Sequence, residues 1–137
     1  MNVVVDTSVW SLVLRRRSGS DHPHRAALTD LIRDGRVAML GPIRQELLCG
    51  IRVRADYDRL RDHLREFPDT PLLTVDYERA AEHFNACRAR GIQGSNTDFL
   101  ICAIAEREGF PVFTADQDFR AFTRVLPIQL YTPVRAL

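Results

Sequence analysis

Three consecutive valines near the start of the chain, Val3 to Val5, run directly into an acid, Asp6. A continuous apolar run of this kind is typical of a strand that is buried on both faces of a parallel sheet. The residues after Asp6 change to helical spacing, with Val9, Leu12 and Val13 on one side. A buried strand that leads at once into a helix predicts an α/β fold.

The same alternation continues along the chain. Further strands are predicted at 37–40, 111–114 and 128–131, with a weak strand or extended piece at 72–75. Helices are predicted at 7–17, 24–33, 42–53, 55–67, 76–90, 95–108 and 116–122. Short linkers between alternating strands and helices favour a three-layer α/β/α domain with a mostly parallel central sheet. We expect this one domain to span residues 1–137.

The composition excludes several classes of protein. All 19 basic residues are Arg, so a P-loop or a pyridoxal-phosphate enzyme, both of which need Lys, is excluded. No apolar run approaches the roughly 20 residues of a membrane helix. The N-terminus lacks the basic start of a signal peptide, so we expect a cytoplasmic protein that does not engage a membrane. The three cysteines are expected to be reduced and mostly buried.

Four acids are expected to meet at one edge of the sheet. Asp6 ends the first strand, and Asp116 follows the strand at 111–114. Glu46 and Asp98 lie in the first turns of two helices. The carboxyl ends of parallel strands share an edge, and clustered carboxylates repel unless a cation such as Mg²⁺ or Mn²⁺ neutralises them. This pattern favours metal-assisted hydrolysis of a phosphodiester.

Each of these acids also has a purely structural alternative. Asp6 and Asp116 could cap the helices that follow them, and Asp98 stands at capping-box spacing from Ser95. Glu46 could lie on the solvated flank of its helix. No single acid therefore indicates a site, and the hypothesis depends on the four together.

Four segments of the chain resemble the motifs of PIN-domain toxins and occur in the family's order. They are VVVDTSVW at 3–10, PIRQELLCG at 42–50, NTDFLICAIAE at 96–106 and VFTADQDF at 112–119. Each motif alone is weak, but the ordered set covers nearly the whole chain. The sequence is most similar to the toxin half of a VapBC toxin–antitoxin pair.

The resemblance implies catalytic and metal-binding roles for the four acids. Asp6 and Asp98 would be the main ligands of Mg²⁺ or Mn²⁺. Glu46 and Asp116 would complete the site directly or through water, and Asp118 is a close rival of Asp116. Three neighbours are implied to assist through hydroxyl or carboxamide groups: Ser8, Thr114 and Asn96.

The resemblance also implies an activity and partners. It implies an endoribonuclease that hydrolyses RNA, a homodimer, and a VapB-type antitoxin that covers a groove between early helices. Apolar side chains that could line this groove are Val9, Trp10, Val13, Leu14, Leu47 and Ile51. We expect Trp10 to be exposed in the free protein.

Two other functions remain open from the sequence. The chain could be a PIN nuclease of RNA processing without an antitoxin, or a catalytically silent PIN module that binds RNA or a protein. The short chain argues against the first, and the presence of all four acids argues against the second. The motifs do not choose between tRNA, rRNA and mRNA, between Mg²⁺ and Mn²⁺, or between one metal ion and two.

The arginines and histidines support weaker inferences. Arg15 to Arg17 could contact RNA phosphates, although a solvated helix end is the simpler interpretation. The stretch from Arg52 to Arg65 alternates with acids and predicts a salt-bridged surface helix. The four histidines fall in no ligand spacing, and we assign them no role.

Overall fold

The computed structural model describes residues 1–14 and 22–133. The segment from Arg15 to Arg17 lies outside these described residues. In chain order the elements are β1 (Val3–Val5), α1 (Thr7–Leu14), α2 (Pro23–Arg33), β2 (Val37–Ala38), α3 (Gly41–Leu48), α4 (Arg54–Leu64), α5 (Thr74–Ala89), α6 (Asn96–Glu108), β3 (Val112–Phe113) and α7 (Asp118–Phe122).

The three strands form a parallel sheet with β1 in the centre, between β2 and β3. Val4 in β1 is paired with Ala38 of β2 on one side and with Val112 of β3 on the other. Single parallel bridges join Met39 to Asp69 and Val112 to Leu130. The predicted three-layer α/β/α class with a parallel central sheet is confirmed. The carboxyl ends of β1 and β3 therefore lie side by side.

The core is built around β1. Val3, Val4 and Val5 have no exposed surface, as expected for a strand covered on both faces. Helices α1 and α2 pack against each other, and so do α5 and α6, while α6 also contacts β3. The apolar face of α6 is buried between Phe99 and Ala105. This burial holds α6 firmly in the core, together with Asp98 in its first turn.

Two groups of charged side chains join α5 to α6. Arg107 donates to the buried Asp76, with Nε 2.7 Å from Oδ1. The buried His83 lies with Nε2 2.8 Å from Oε2 of Glu106, which also accepts from Arg79. His83 could not be assigned a role from sequence patterns, because its partner Glu106 stands 23 positions further along the chain.

Several predicted boundaries are wrong. The helix predicted to reach residue 53 ends at Leu48, and Gly50 then adopts a φ of +84°, which ends helical geometry. Of the weak strand or extended piece predicted at 72–75, Leu73 is extended, but α5 already begins at Thr74, two residues before the predicted start of that helix. The strand predicted at 128–131 is reduced to the single bridge at Leu130.

The expectation that Trp10 is exposed is also wrong. Trp10 is 1% exposed, and its ring meets Phe67 edge-on with 5.4 Å between the centroids. Helical spacing alone could not separate a core face from a binding face, because Phe67 comes from a distant segment. Val9 is buried as well.

Two other expectations are confirmed, one for α4 and one for the cysteines. α4 is a surface helix with ion pairs such as Arg54–Asp58 and Arg61–Asp58. Cys87 and Cys102 are buried free thiols, whereas Cys49 is exposed. None of the helices within the described ranges combines the length and the apolar character needed to cross a bilayer.

Candidate active site

Asp6 lies directly after β1 and is only 6% exposed. Its Oδ2 accepts hydrogen bonds from Ser8 Oγ at 2.8 Å and from Thr114 Oγ1 at 2.9 Å. Thr114 follows β3, the parallel neighbour of β1, while Ser8 lies in the first turn of α1. Two hydroxyl groups from separate segments therefore hold one carboxylate oxygen, as the resemblance implied for Ser8 and Thr114.

Glu46 comes from α3, the helix that follows β2. Its Oε1 accepts a hydrogen bond from Thr7 Oγ1 at 3.1 Å. Partial burial raises the pKa of Glu46, and the nearby Asp6 and Asp98 raise it further, although the Thr7 hydroxyl opposes them. The contact of Thr7 with Glu46 was not predicted from the sequence. The position of Thr7 directly after Asp6 was the only indication that it belongs near the site.

Asp98 is in the first turn of α6 and forms the predicted capping box. Its Oδ2 accepts from the Ser95 amide at 3.0 Å, and its own amide donates to Ser95 Oγ at 3.1 Å. Burial raises the pKa of Asp98 despite these hydrogen bonds, and the charges of Asp6 and Asp116 add to the shift. Asp98 can therefore both cap α6 and belong to the site. The capping hydrogen bond uses Oδ2, and the carboxylate is still close enough to Asp6 and Asp116 to be affected by their charges.

Asp116 lies in the turn between β3 and α7. Its amide donates to Thr114 Oγ1 at 3.0 Å, and its Oδ1 accepts from the Asp118 amide at 2.9 Å. The same Thr114 hydroxyl thus lies between Asp6 and the backbone of Asp116. Asp118 is exposed at the start of α7, whereas Asp116 is half-buried.

The four predicted acids thus come from β1, α3, α6 and the turn after β3, and they act on one another electrostatically. Asp6 and Asp116 raise the pKa of Asp98, and Asp6 and Asp98 raise that of Glu46. Among residues 1–14 and 22–133, no three acidic, histidine or cysteine side chains are already arranged around one point as metal ligands. The third implied helper, Asn96, begins α6 and is exposed, and no hydrogen bond of the described residues links it to the four acids.

A family model settles the classification of the chain, since the model described as "PIN domain" matches residues 3–125. The chain belongs to the PIN domain family. PIN domains are generally nucleases, so the coarse activity is hydrolysis of nucleic acid. No curated protein matches the sequence of this PIN domain.

Solved structures share the fold of this PIN domain at low sequence identity. FitAcB from Neisseria gonorrhoeae is 20% identical, with a TM-score of 0.75 over 96% of this chain and 97% of that chain. VapBC2 from Rickettsia felis, bound to a DNA fragment from its promoter, is 17% identical, with a TM-score of 0.76 over 96% and 98%. VapBC-1 from nontypeable Haemophilus influenzae is 14% identical, with a TM-score of 0.72 over 96% and 97%. At these identities the likeness establishes the fold.

Proposed function

We propose that this PIN domain is a metal-dependent endoribonuclease and the toxin of a type II toxin–antitoxin system. The observation that carries the proposal is the position of four acids around the ends of β1 and β3, near enough for their charges to interact. Asp6 and Asp116 follow these two neighbouring parallel strands. Burial raises the pKa of Asp98 and of Glu46; the charges of Asp6 and Asp116 add to the shift of Asp98, and those of Asp6 and Asp98 add to the shift of Glu46. Such mutual repulsion favours the binding of a cation.

The donor atoms at this edge fit Mg²⁺ or Mn²⁺. They are carboxylate and hydroxyl oxygens, which these ions prefer over nitrogen and sulfur. Asp6 and Asp98 would be the main ligands, and Glu46 and Asp116 would complete the site directly or through water. A bound ion would supply an activated water and stabilise charge on the phosphodiester.

The chain's own hydroxyl groups would orient the ligands. Ser8 and Thr114 both bond Oδ2 of Asp6, so its Oδ1 is the oxygen better placed to accept a cation. Thr7 restrains Glu46 in the same way from the first turn of α1. Since these restraints come from two different segments, the first turn of α1 and the residue after β3, the folded sheet edge would pre-position the site before metal binds.

The proposed partner is a VapB-type antitoxin that covers a groove next to the acids. The groove has a volume of about 960 Å³ and lies between α1, α3 and α4. Leu14, Leu47 and Ile51 line it together with Leu60, whereas three other side chains proposed from the sequence do not: Val9, Trp10 and Val13. Glu46 also lines the groove, so an occupant would reach the candidate site. The VapBC2, VapBC-1 and FitAcB structures support this partner by likeness of fold.

The remaining parts of the proposal rest on the resemblance. RNA is the proposed substrate, a homodimer the proposed assembly, and the cytoplasm the proposed location. We also propose that the PIN domain spans the whole chain, residues 1–137, beyond the stretch matched by the family model.

The test is induced expression of the full chain, followed by mapping of new RNA 5′ ends. The proposal predicts growth arrest and a small set of new ends, both absent with Asp98→Asn. Co-expression of a small DNA-binding protein from an adjacent reading frame should restore growth. Arrest that persists with Asp98→Asn would reject the nuclease, and arrest that no adjacent frame relieves would reject the antitoxin.

A further inference from the structure

Arg44 lies on α3, two residues before Glu46, and joins that helix to the end of α4. Its Nη1 donates to the carbonyl oxygen of Leu64, the last residue of α4, at 3.0 Å, and its Nη2 donates to the carbonyl oxygen of Phe67. Its Nε donates to Oδ1 of Asp69 at 3.0 Å. One guanidinium group therefore fastens α3 to three points between residues 64 and 69.

The arrangement depends on the shape of the arginine side chain. The planar fork of a guanidinium holds several donors in fixed directions, which the single ammonium of Lys does not. The Arg44 side chain is only 22% exposed, so its hydrogen bonds are partly shielded from water. Two of its acceptors are carbonyl groups at the end of α4 and just after it, where backbone oxygens lack intrahelical partners. Arg44 therefore caps α4 from a neighbouring helix.

Phe67 continues this connection to α1. Its carbonyl group accepts from Arg44, while its ring meets the buried Trp10 of α1 edge-on. Three residues earlier on α1, Thr7 donates to Glu46. The contacts thus form a closed circuit that leaves α3 at Arg44, passes through Phe67 and α1, and returns to α3 at Glu46.

The rotation of α3 about its own axis depends on this circuit. α3 has only eight residues, and Leu40, which precedes it, provides no capping side chain. Its buried side chains, Ile43 and Leu47, pack through apolar contacts, which are non-directional. Arg44 and Glu46 point about 200° apart around the helix, so the two polar restraints act on nearly opposite sides.

We propose that Arg44 is a positioning residue that aims Glu46 at the other acids of the candidate site. Arg44 acts through α3: loss of its three hydrogen bonds frees the helix to turn, and the carboxylate of Glu46 then moves away from Asp6 and Asp98. The inference rests on the proposed metal site. It adds a residue, outside the four acids, on which the affinity of that site for a cation depends.

The test measures binding of Mn²⁺ to the full chain in the absence of RNA. Electron paramagnetic resonance follows free Mn²⁺ as wild type and variants are titrated. Arg44→Met should weaken binding by about fivefold, a smaller loss than the roughly tenfold or more that follows removal of a direct partner of a metal ligand. Arg44→Lys should fall between the two, because one ammonium reaches fewer of the three oxygens. Arg33→Met, which removes an exposed ion pair with Asp30, is the matched control and should bind as wild type does.

Trp10 reports on the circuit independently of metal. It is the single tryptophan of the chain, and it is buried against Phe67. Arg44→Met should shift its fluorescence emission to longer wavelength, because Phe67 is no longer held against the indole ring. Arg33→Met should leave the emission unchanged. Wild-type emission together with wild-type Mn²⁺ affinity in Arg44→Met would overturn the inference and leave the metal site in place.

A double-mutant cycle separates positioning of Glu46 from a general loosening of the fold. Thr7→Val removes the other restraint on Glu46 and keeps all four acids. If both residues act through Glu46, the double variant with Arg44→Met loses less Mn²⁺ affinity than the product of the two single losses. Losses that multiply would overturn the inference, whereas a wild-type chain that binds no Mn²⁺ would overturn the metal site as well. Should Arg44→Met fail to fold, Arg44→Lys takes its place in the same cycle.

Discussion

The Thr114 hydroxyl lies 2.9 Å from Oδ2 of Asp6 and joins the ends of two neighbouring parallel strands. The Oγ1 of Thr114 also accepts a hydrogen bond from the Asp116 amide at 3.0 Å. One hydroxyl group therefore ties two of the four candidate site acids to each other.

Removing this hydroxyl should weaken the site without unfolding the chain. Thr114→Val keeps the branched shape but loses the donor to Asp6, and we expect cleavage to fall by roughly 10- to 100-fold. Thr114→Ser should retain most activity, because the donor remains. The measurement is cleavage rate against metal concentration for both variants. A Thr114→Val rate equal to wild type would show that Asp6 needs no such restraint.

Asp116 and Asp118 should differ in their importance. Asp116→Asn keeps an oxygen that can accept the Asp118 amide, so it removes the charge and spares the turn. We expect it to lower activity by at least about tenfold, whereas Asp118→Asn, at an exposed position, stays close to wild type. Side-by-side kinetics at saturating metal decide this. A larger loss with Asp118→Asn would reassign the fourth acid.

The buried Asp76 predicts a specific dependence of stability on pH. Burial opposes its ionisation, but the hydrogen bonds from Arg107 and from the Leu73 amide outweigh burial and lower the pKa of Asp76. A carboxylate whose pKa is lower in the folded state stabilises the fold above its unfolded pKa of about 3.9. That contribution disappears as the pH falls through the lower, folded pKa.

Arg107→Met should reverse this behaviour near neutral pH. The variant leaves Asp76 buried with the Leu73 amide as its donor but without its ion-pair partner, at an expected cost of about 3 kcal/mol. Because burial then dominates, the folded pKa of Asp76 rises, and the variant should gain stability as the pH falls from about 7 to 5. Urea denaturation at both pH values measures this, with Arg120→Met on the surface of α7 as the control. Equal losses at the two pH values would contradict the assignment.

Gly94 fixes the spacing between the loop before α6 and α7. A Cβ at this position would stand 2.5 Å from Cζ of Phe122 and 2.9 Å from Cζ of Phe99. Both rings are buried, so Gly94→Ala should cost about 1–3 kcal/mol. Thermal unfolding checks this, with Gly41→Ala, where a Cβ meets nothing within 4 Å, as the control. Equal melting temperatures for the two variants would show that the rings move aside freely.

The sequence predicted the parts of this molecule that local pattern determines. The valines of β1 and the Ser95–Asp98 capping box both follow from spacing alone, and both are found. Trp10 and His83 could not be interpreted in this way, because Phe67 and Glu106 reach them from distant segments. The boundary of α3 was misjudged because apolar residues continue past Leu48 although Gly50 has already turned the chain.

For the four acids, too, local sequence pattern predicted some features, while others depend on contacts between distant segments. Their order along the chain and their places after strands and in first turns predicted a common edge. The hydroxyl groups that restrain them depend on which turns meet in space, and Thr7 was missed for that reason.

Cleavage of single-stranded RNA by the purified chain tests the central claim most directly. Wild type and Asp98→Asn are compared with Mg²⁺, with Mn²⁺ and with excess EDTA. Asparagine preserves the oxygen that accepts from Ser95, so the fold should survive, and the loss of a carboxylate with a raised pKa should leave metal-free stability unchanged or higher. We predict cleavage by wild type with either ion, none in EDTA, and none by Asp98→Asn. Cleavage by wild type in EDTA, or an Asp98→Asn rate equal to wild type, would contradict a metal-dependent nuclease at this site.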